Sequence, residues 1–251
     1  MKHVLDDLLF TASTTKFDYI RIEPTSSEIT VYAADGINKT LFLNAHFPLI
    51  FELADIGPIA IGREPRLLEF IRKQIINGDG DLAISADKTS LVLSNDGLVS
   101  KYYKFAKTSM APMCSLKSTP QWSLLHTISP SSSLIVTITQ TMTSMRSLCS
   151  NQFYIKIADG FVIIEILAKS WSSGSDLGDT CSIFRLCNTD LPDNPPIRYD
   201  IDKFLAVLKA ARKADVTVLL STTTGLKQCS FSRDVAGHLL TYDFILPGRN
   251  A

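Results

Sequence analysis

The residues of this chain that could perform catalysis are few, and they do not stand at the spacings that catalytic sites use. The sequence has no GxSxG elbow, no Walker lysine and no GxGxxG fingerprint. The acidic pairs Asp6-Asp7 and Asp190/Asp193 are interpreted as solvated charge on a helix and in a proline-rich loop, not as a carboxylate dyad. None of the histidines belongs to an HxH or HExxH zinc motif; they are His3, His46, His126 and His238. We therefore expect a protein that is not an enzyme and uses no cofactor.

The cysteines indicate neither a metal site nor a disulfide framework. Their number, five, is odd, and none of the spacings is CxxC. Cys181 and Cys187 are six positions apart, with no pair of histidines near them to complete a zinc site. We interpret the cysteines as buried free thiols and predict no bound metal.

Positive charge on predicted helices is the feature that points to a binding function. The chain is neutral overall, with 25 basic and 25 acidic residues. Neutrality excludes a uniformly basic nucleic-acid binder but allows a molecule with one basic face. In the predicted helix 202–213, Phe204 and Leu205 belong to the apolar stripe, while Lys209 and Lys213 project from the other side.

The predicted helix 64–76 repeats this arrangement, with Arg66 and Lys73 opposite its apolar face. One interpretation is the solvated face that many helices have. The other is contact with phosphates without reading of bases, since ammonium and guanidinium groups bind any phosphate backbone. In the second interpretation, the small side chains of Ala206 and Ala210 would let a DNA backbone approach the cations.

Hydrophobic periodicity predicts two helices and several strands in each half of the chain. Residues 107–121 contain two prolines and no periodicity and are predicted to be a linker. The segment 131–147 has helical spacing, but its threonines and isoleucines also suit a strand. The predicted helices are 3–14, 64–76, 131–147 and 202–213. The predicted strands are 17–23, 28–34, 39–45, 49–56, 81–85, 90–94, 98–106, 122–128, 152–158, 161–169, 180–186, 197–201, 216–221, 226–232 and 237–246.

Composition sets the outer limits of these interpretations. Of the 251 residues 45% are hydrophobic and 20% are charged, which is typical of folded domains with real cores. The start of the chain lacks an export signal, and the apolar run 161–168 is too short to cross a bilayer. We expect a soluble, intracellular protein of the cytoplasm or nucleoid, or of the host cell if it is viral, that does not bind membranes.

The order of elements, the linker and the basic helix faces together resemble the DNA sliding clamps. This ring-forming family includes proliferating cell nuclear antigen and the phage processivity clamps. The likeness is carried by two runs, LIFELADIGPIAIGREPRLLEFIRKQIINGDGDLAISADKTSLVLSNDG (49–97) and IRYDIDKFLAVLKAARKADVTVLLSTTTGLKQCSFSRDVAGHLLTYDFILPG (197–248).

The resemblance implies an α+β fold of two similar βαβββ-αβββ-type domains, with helices lining the interior of a ring and sheets outside. The domains would be 1–106 and 122–251, joined by the linker 107–121, and three chains would close the ring as a homotrimer. Closure would pair the strand 98–106 with the strand 180–186, since an unpaired sheet edge is otherwise a liability.

The resemblance also implies a function, that of a processivity factor in DNA replication. Such a protein encircles double-stranded DNA without sequence specificity, tethers the replicative DNA polymerase and is placed on DNA by a clamp loader. The polymerase and the loader would bind a pocket near Met113, Leu116, Leu246 and Pro247. The cations expected to contact DNA are Lys203, Lys209, Arg212, Lys213, Arg66, Arg72, Lys73 and Arg146.

Two other interpretations remain open on the sequence. A structural β-rich viral protein of a capsid or tail would explain the many strands and the lack of catalytic motifs. It predicts all-β character without two amphipathic helices in each half and without association with DNA. An enzyme of unfamiliar type would require a pocket in which titratable groups converge.

Overall fold

A computed structural model describes residues 1–35, 41–50, 57–78, 80–95, 99–111, 120–168, 180–221 and 224–250. This part of the chain contains helices α1 (Lys2–Thr14), α2 (Pro65–Asn77), α3 (Ser133–Met145) and α4 (Ile201–Ala211), and a 3-10 turn at Thr108–Met110. Its strands are β1 (Tyr19–Pro24), β2 (Glu28–Ala34), β3 (Phe42–Pro48), β4 (Ile59–Gly62), β5 (Asp81–Ile84), β6 (Ser90–Asn95), β7 (Val99–Lys104), β8 (Ser123–Ile128), β9 (Gln152–Ala158), β10 (Phe161–Ala168), β11 (Thr180–Asn188), β12 (Asn194–Asp200), β13 (Val216–Leu220), β14 (Leu226–Val235), β15 (His238–Pro247) and β16 (Arg249–Asn250). The predicted α+β class is confirmed.

The chain divides into two compact units. Unit 1 comprises Met1–Leu116 and Ser232–Phe244, and unit 2 comprises Lys117–Phe231 and Ile245–Ala251. The long strands β14 and β15 therefore each contribute residues to both units. The domain limits 1–106, 107–121 and 122–251, which give the whole C-terminal hairpin to the second domain, stay a prediction.

Unit 1 is built on two antiparallel sheets. In the larger sheet the strands lie in the order β4-β1-β2-β3-β15, and the smaller sheet has the order β5-β6-β7. Successive side chains of a strand point to opposite faces of the sheet, and one face is buried. Ile20 and Ile22 of β1 therefore lie in the core, while their neighbours are half-buried. Helices α1 and α2 pack against each other, and the rings of Phe17 and Phe244 stack with centroids 6.4 Å apart.

Unit 2 also combines two sheets with a pair of helices. One sheet has the order β11-β10-β9-β12-β16, and the other contains β14, β13 and β8 side by side. The tight turn at Asp159-Gly160, where both residues have positive φ angles, joins β9 to β10 as a hairpin. The core contains the aromatic cluster of Phe153, Tyr199 and Phe204.

The segment with threonine-rich helical spacing is a helix. Ser132 caps the N-terminus of α3, and its Oγ accepts the N–H of Ile135 at 3.3 Å. Inside the helix, the hydroxyl of Thr137 donates to the carbonyl of Ser133 at 2.9 Å and that of Thr143 to the carbonyl of Thr139 at 2.7 Å. These local bonds satisfy the hydroxyl groups within the helix.

The strand at Ile59–Gly62 was not predicted, because Gly57 and Pro58 before it favour a turn. It pairs with β1, and Ile59, Ala60 and Ile61 are buried. Gly62 has φ +109°, and a Cβ there would lie 2.5 Å from the carbonyl oxygen of Asp18, so only glycine fits this close approach. Of the strand predicted at 49–56, residues 51–56 lie outside the described residues.

Candidate nucleic-acid interface

Helix α4 is positioned by both of its termini. At its N-terminus, Oδ1 of Asp200 accepts the N–H of Lys203 at 3.0 Å, which caps the first turn. Asp202 in the first turn and Lys209 in the last turn complement the helix dipole. The buried face consists of Ile201, Phe204, Val207, Leu208, Ala210 and Ala211.

Two details of this face differ from the sequence prediction. Leu205 is half-buried rather than part of the buried stripe. Ala210 is fully buried, so the prediction that it leaves room for a DNA backbone between the cations is wrong. Ala206 is half-buried and remains on the accessible side.

The C-terminal end of α4 carries an exposed group of cations. Lys209, Arg212 and Lys213 are all exposed, and even with Asp215 counted, residues 209–215 have a net charge of +2. Arg212 ends the helix with φ 57° and ψ −108°, and its N–H donates to the carbonyl of Lys209 at 3.2 Å. This backbone conformation suits glycine and costs other residues about 1–3 kcal/mol. The half-buried Lys203 lies at the opposite end of the helix.

On helix α2 of unit 1, two of the cations lie beside acidic side chains. Pro65 lies in its first turn, where its missing N–H costs nothing. Arg66 and Lys73 are exposed, and Nζ of Lys73 lies 2.8 Å from Oε1 of Glu69 in an i,i+4 ion pair. Half-buried Arg72 is held by α1, as described next.

An arginine–aspartate ion pair joins helices α1 and α2 of unit 1. Nε of Arg72 on α2 donates to Oδ1 of Asp6 on α1 at 2.9 Å. The same guanidinium lies over the ring of Phe10, 4.9 Å from its centroid, a favourable cation–π contact. Arg72 thus fixes α2 on α1, and its charge is balanced locally.

A pair of the same kind joins helices α3 and α4 of unit 2. Nη1 of Arg146, the residue that ends α3, lies 2.9 Å from Oδ1 of Asp202 on α4. Asn151 reinforces the junction: its carbonyl accepts the N–H of Ile201 at 3.0 Å, and its side chain bonds to Asp200 and to the N–H of Asp202. Because Arg146 and Asp202 cancel in charge, α3 adds no net cation to this unit.

The structure shows an acidic partner for three of the eight cations predicted to contact DNA. Arg72, Lys73 and Arg146 each form an ion pair with an acidic side chain. The other five are Arg66, Lys203, Lys209, Arg212 and Lys213, and four of these lie on or directly after α4. Contact of any of them with DNA stays a prediction.

A buried ion pair in unit 1 was missed by the sequence interpretation. Asp7 was taken as solvated charge, but it is 4% exposed. Its Oδ2 accepts hydrogen bonds from Nη2 of Arg233 at 2.7 Å and from the hydroxyl of Tyr242 at 2.6 Å. Burial, and then the neighbouring charge of Asp7, raise the pKa of Tyr242. The helical spacing could have predicted this burial, since Asp7 is three residues after Val4 and lies on the apolar stripe of α1.

A buried lysine in unit 2 was also missed. Nζ of Lys227 on β14 is fully buried and has no hydrogen-bond partner. It lies 4.7, 4.0 and 4.3 Å from the ring centroids of Phe153, Tyr199 and Phe204. Burial lowers the pKa of this ammonium group to about 8, while it raises the pKa of the nearby Cys229 thiol to about 11.

The predicted partner pocket is described only in part. Leu246 is buried, 2% exposed, and Pro247 is half-buried. Met113 and Leu116 lie outside the described residues. A binding role for these four residues stays a prediction.

An apolar cavity in unit 1 offers no groups for acid–base chemistry in its side chains. It is lined by nine residues with aliphatic or thioether side chains: Met1, Val4, Leu5, Leu8, Ile22, Ile59, Ile61, Ile84 and Leu91. Within the described ranges, no three His, Cys, Asp or Glu side chains are grouped so that they could hold a metal ion. No helix in the same ranges is long and apolar enough to span a bilayer.

Comparison with known proteins gives matches at the level of structure. No protein-family model and no curated protein sequence matches the chain. A structure of A. fulgidus PCNA with the C-terminal region of FEN-1 bound superposes with a TM-score of 0.64 at 16% identity, over 98% of this chain and 96% of that chain. PCNA from Thermococcus kodakaraensis gives 0.62 at 11% identity, over 99% and 97%. The proliferating cellular nuclear antigen of Entamoeba histolytica gives 0.62 at 12% identity, over 99% and 96%.

These matches cover nearly the whole length of both chains in each comparison. At identities of 11–16% they show the fold. The chain has the fold of the DNA sliding clamps, as the order of its elements in the sequence predicted.

Proposed function

We propose that this chain is a DNA sliding clamp, a non-catalytic processivity factor that encircles duplex DNA and tethers a replicative polymerase. The observation that carries the proposal is the match to clamp structures over 98–99% of the chain. The cationic end of α4 supports it, because exposed Lys209, Arg212 and Lys213 offer phosphate contacts without the amide side chains that read bases.

Ring closure is proposed through two edge strands. β7 is the last strand of the sheet β5-β6-β7, and β11 is the last strand of the sheet β11-β10-β9-β12-β16. Tyr102 on β7 is 65% exposed and Ile183 on β11 is 60% exposed. An edge strand with an exposed apolar side chain invites pairing with another chain. Pairing β7 of one chain with β11 of the next repeats head to tail and closes into a homotrimeric ring.

The roles in this assembly follow the family resemblance. The domains 1–106 and 122–251 would place their helices inside the ring and their sheets outside, and the linker 107–121 would lie on the outer surface. The polymerase and a clamp loader would bind near Met113, Leu116, Leu246 and Pro247. Such a protein works where the DNA is, in the cytoplasm or nucleoid, or in the infected host cell if its source is a virus.

The alternative of a structural capsid or tail protein is not favoured by the fold. That hypothesis predicts all-β character, whereas the described part of each half contains two helices, α1 and α2 in the first and α3 and α4 in the second. The alternative of an unfamiliar enzyme requires convergent titratable groups, and the apolar cavity of unit 1 has none among its lining side chains.

The proposed assembly is tested by the mass of the native particle in sedimentation equilibrium. We expect three times the 27.7 kDa chain mass, and Ile183→Arg on the edge strand β11 should shift the particle to monomer. Leu239→Arg is the matched control, since Leu239 on β15 is 58% exposed but lies on neither proposed edge. A wild-type monomer at every concentration, or equal dissociation by both substitutions, would contradict closure through these edges.

A further inference from the structure

Strand β13 of unit 2 has a paired neighbour on each of its two edges. β14 pairs with one edge and β8 with the other, both antiparallel, and Ile128 of β8 lies opposite Val216. In the chain β8 comes shortly before α3, the first helix of this unit. Its side chains Leu125 and Ile128 are buried. The strand that precedes the first helix therefore covers one edge of β13 and adds aliphatic side chains to the core.

Strand β5 is the counterpart of β13 in unit 1. It follows α2 as β13 follows α4, and it pairs with β6 as β13 pairs with β14. The residues also correspond, since the run DLAI (81–84) has the pattern of DVTV (215–218). Among the strands that the structure describes, however, none pairs with the second edge of β5. An edge of this kind offers its backbone N–H and C=O groups to another strand.

The two strands differ in burial as the difference in their neighbours predicts. Val216 and Val218 of β13 are 0% and 2% exposed, whereas their counterparts Leu82 and Ile84 in β5 are only half-buried. Removal of apolar surface from water is favourable. A strand added beside β5 would therefore gain free energy by covering Leu82 and Ile84.

The apolar cavity of unit 1 adjoins this edge and is partly open to solvent. It is bordered by the first two turns of α1, by β1 and β4, and by Ile84 of β5 and Leu91 of β6. Ile84 thus belongs both to the edge strand and to the cavity wall. The start of α1 lies close by, since Nζ of Lys2 donates to the carbonyl of Gly78, three residues before β5, at 2.6 Å. The edge of β5, the cavity and the start of α1 therefore lie together.

Strand β8 shows which side chains an added strand would need. In unit 2 the residue opposite Val216 is Ile128, so the corresponding residue of an added strand would lie opposite Leu82. The cavity is lined by aliphatic and thioether side chains, and a buried charge without a partner there would be costly. The inward-facing residues of the added strand should therefore be aliphatic. In such strand addition, backbone hydrogen bonds supply affinity and the pockets for alternate side chains supply specificity.

We propose that the second edge of β5 is a docking site for an extended segment of a partner protein, which adds a strand antiparallel to β5 and places an aliphatic side chain in the cavity. The segment takes the place in unit 1 that β8 has in unit 2. The site uses none of the four residues predicted to bind the polymerase and the loader. It depends on unit 1 alone, so it holds whether or not the chain closes into a ring.

The test uses the full chain and a synthetic peptide with the sequence of β8, QWSLLHTIS (121–129), blocked at both ends. Its affinity is measured by fluorescence anisotropy of a labelled peptide, and its position by hydrogen exchange of the protein. At saturation, exchange of the amides of Asp81–Ile84 that face away from β6 should slow by about tenfold or more, because they become hydrogen-bonded. Exchange in β13, which already has two neighbours, should stay the same.

Matched substitutions test the role of the inward-facing side chains without unfolding the protein. In the peptide, Ile128→Lys should raise the Kd by about tenfold or more, since Ile128 is buried in β8. Leu124→Lys in the peptide should change the Kd by less than about twofold, since Leu124 is 59% exposed. In the protein, Ile84→Lys should abolish binding, and Ala83→Lys, at an exposed position of the same strand, should leave it unchanged.

Three results would overturn the proposal. The first is that the peptide slows exchange nowhere in the protein. The second is that exchange changes at β13 instead of β5, which would mean that the peptide displaces the chain's own β8. The third is that Ile128→Lys and Leu124→Lys weaken the peptide equally, which would mean that it binds without an oriented strand. A monomeric protein that binds the peptide at β5 would keep this proposal and contradict the proposed ring.

Discussion

Replacing Lys227 by methionine should stabilise unit 2 at neutral pH. The lysine is fully buried, its Nζ has no hydrogen-bond partner, and burial lowers its pKa from 10.5 to about 8. At pH 7 the folded protein therefore carries a buried ammonium group that the unfolded chain solvates freely. Methionine has a similar length and no charge, so it fills the space between the rings of Phe153, Tyr199 and Phe204 without this cost.

The size and pH dependence of the stabilisation in Lys227→Met follow from the pKa of Lys227 in the unfolded chain and its pKa in the folded protein. Between pH 8 and 10.5 the unfolded chain binds the proton that the folded protein has lost, so stability rises with pH in this window. At 1.36 kcal/mol for each pKa unit, the shift from 10.5 to about 8 corresponds to a destabilisation of about 3 kcal/mol at pH 7 and about 1 kcal/mol at pH 9.5. The cation–π contacts with three rings act in the opposite direction, each by roughly 0.5 kcal/mol at the lower end of their range and together by about 1.5 kcal/mol. We therefore expect a net gain of about 1–2 kcal/mol in Lys227→Met at pH 7.

The assay is urea unfolding of both proteins at pH 7 and pH 9.5. The advantage of Lys227→Met should shrink at the higher pH, where the wild-type amine is mostly neutral in the folded state. The control is Lys209→Met, whose exposed position should change stability by less than about 0.5 kcal/mol. A loss of stability in Lys227→Met at pH 7, with no dependence on pH, would show that the rings stabilise the ammonium more than burial opposes it, and would refute the reasoning.

Three other substitutions test the charges described above. Arg233→Met should lower the free energy of unfolding by about 3–5 kcal/mol in urea, because it leaves Asp7 buried without its cation; an effect below about 1 kcal/mol would contradict the burial of the pair. Lys209→Glu with Lys213→Glu should reduce loading onto closed circular DNA at least tenfold while the sedimentation mass stays the same, and loss of assembly instead would show that these lysines are structural. Arg146→Gln should cost less than about 1 kcal/mol in urea unfolding, because its ion pair with an aspartate is exposed, and a larger loss would mean that the junction of α3 and α4 contributes to the core.

The elements of this fold could be predicted mainly because their periods are clear. The helices at 64–76 and 202–213 were predicted to within one or two residues of α2 and α4, since apolar side chains recur at three- and four-residue steps. α3 was ambiguous because threonine favours strands in isolation, whereas the helix is stabilised by burial of Ile135, Ile138, Met142 and Met145 on one face, which needs the rest of the fold. The strand β4 was missed because a four-residue strand beside glycine and proline has too few residues to show a period.

The burial of these charged side chains could have been predicted from their positions on the buried face of a helix or strand. Charged side chains are usually exposed, and this general preference argued against the prediction. Lys227, Cys229, Phe231 and Arg233 follow each other at steps of two residues on one face of β14. Lys227, Cys229 and Phe231 are buried, and Arg233 is half-buried. Lysine and arginine are so seldom buried that a sequence interpretation assigns them to the surface. Their partners, Asp7 for Arg233 and the aromatic rings for Lys227, come from distant parts of the chain and cannot be inferred from spacing.

Two of the cations predicted to contact DNA form ion pairs between helices, with partners that are distant in the sequence. Asp6 and Arg72 are 66 positions apart, and Arg146 and Asp202 are 56 positions apart. The sequence shows that each helix carries a cation, but only the packing shows which cations are balanced by acids. The field at the proposed interface therefore depends less on the number of lysines and arginines than on which of them lie beside an aspartate or glutamate.

The central claim is that this chain encircles DNA, and topological linkage tests it most directly. The protein is allowed to thread onto linear duplex, the ends are blocked with a bulky group, and the complex is washed at 0.5 M salt, where contacts with phosphates are screened. We predict that the protein stays on the blocked DNA and is released by a single double-strand cut. Equal loss from blocked and cut DNA at this salt concentration would contradict a closed ring.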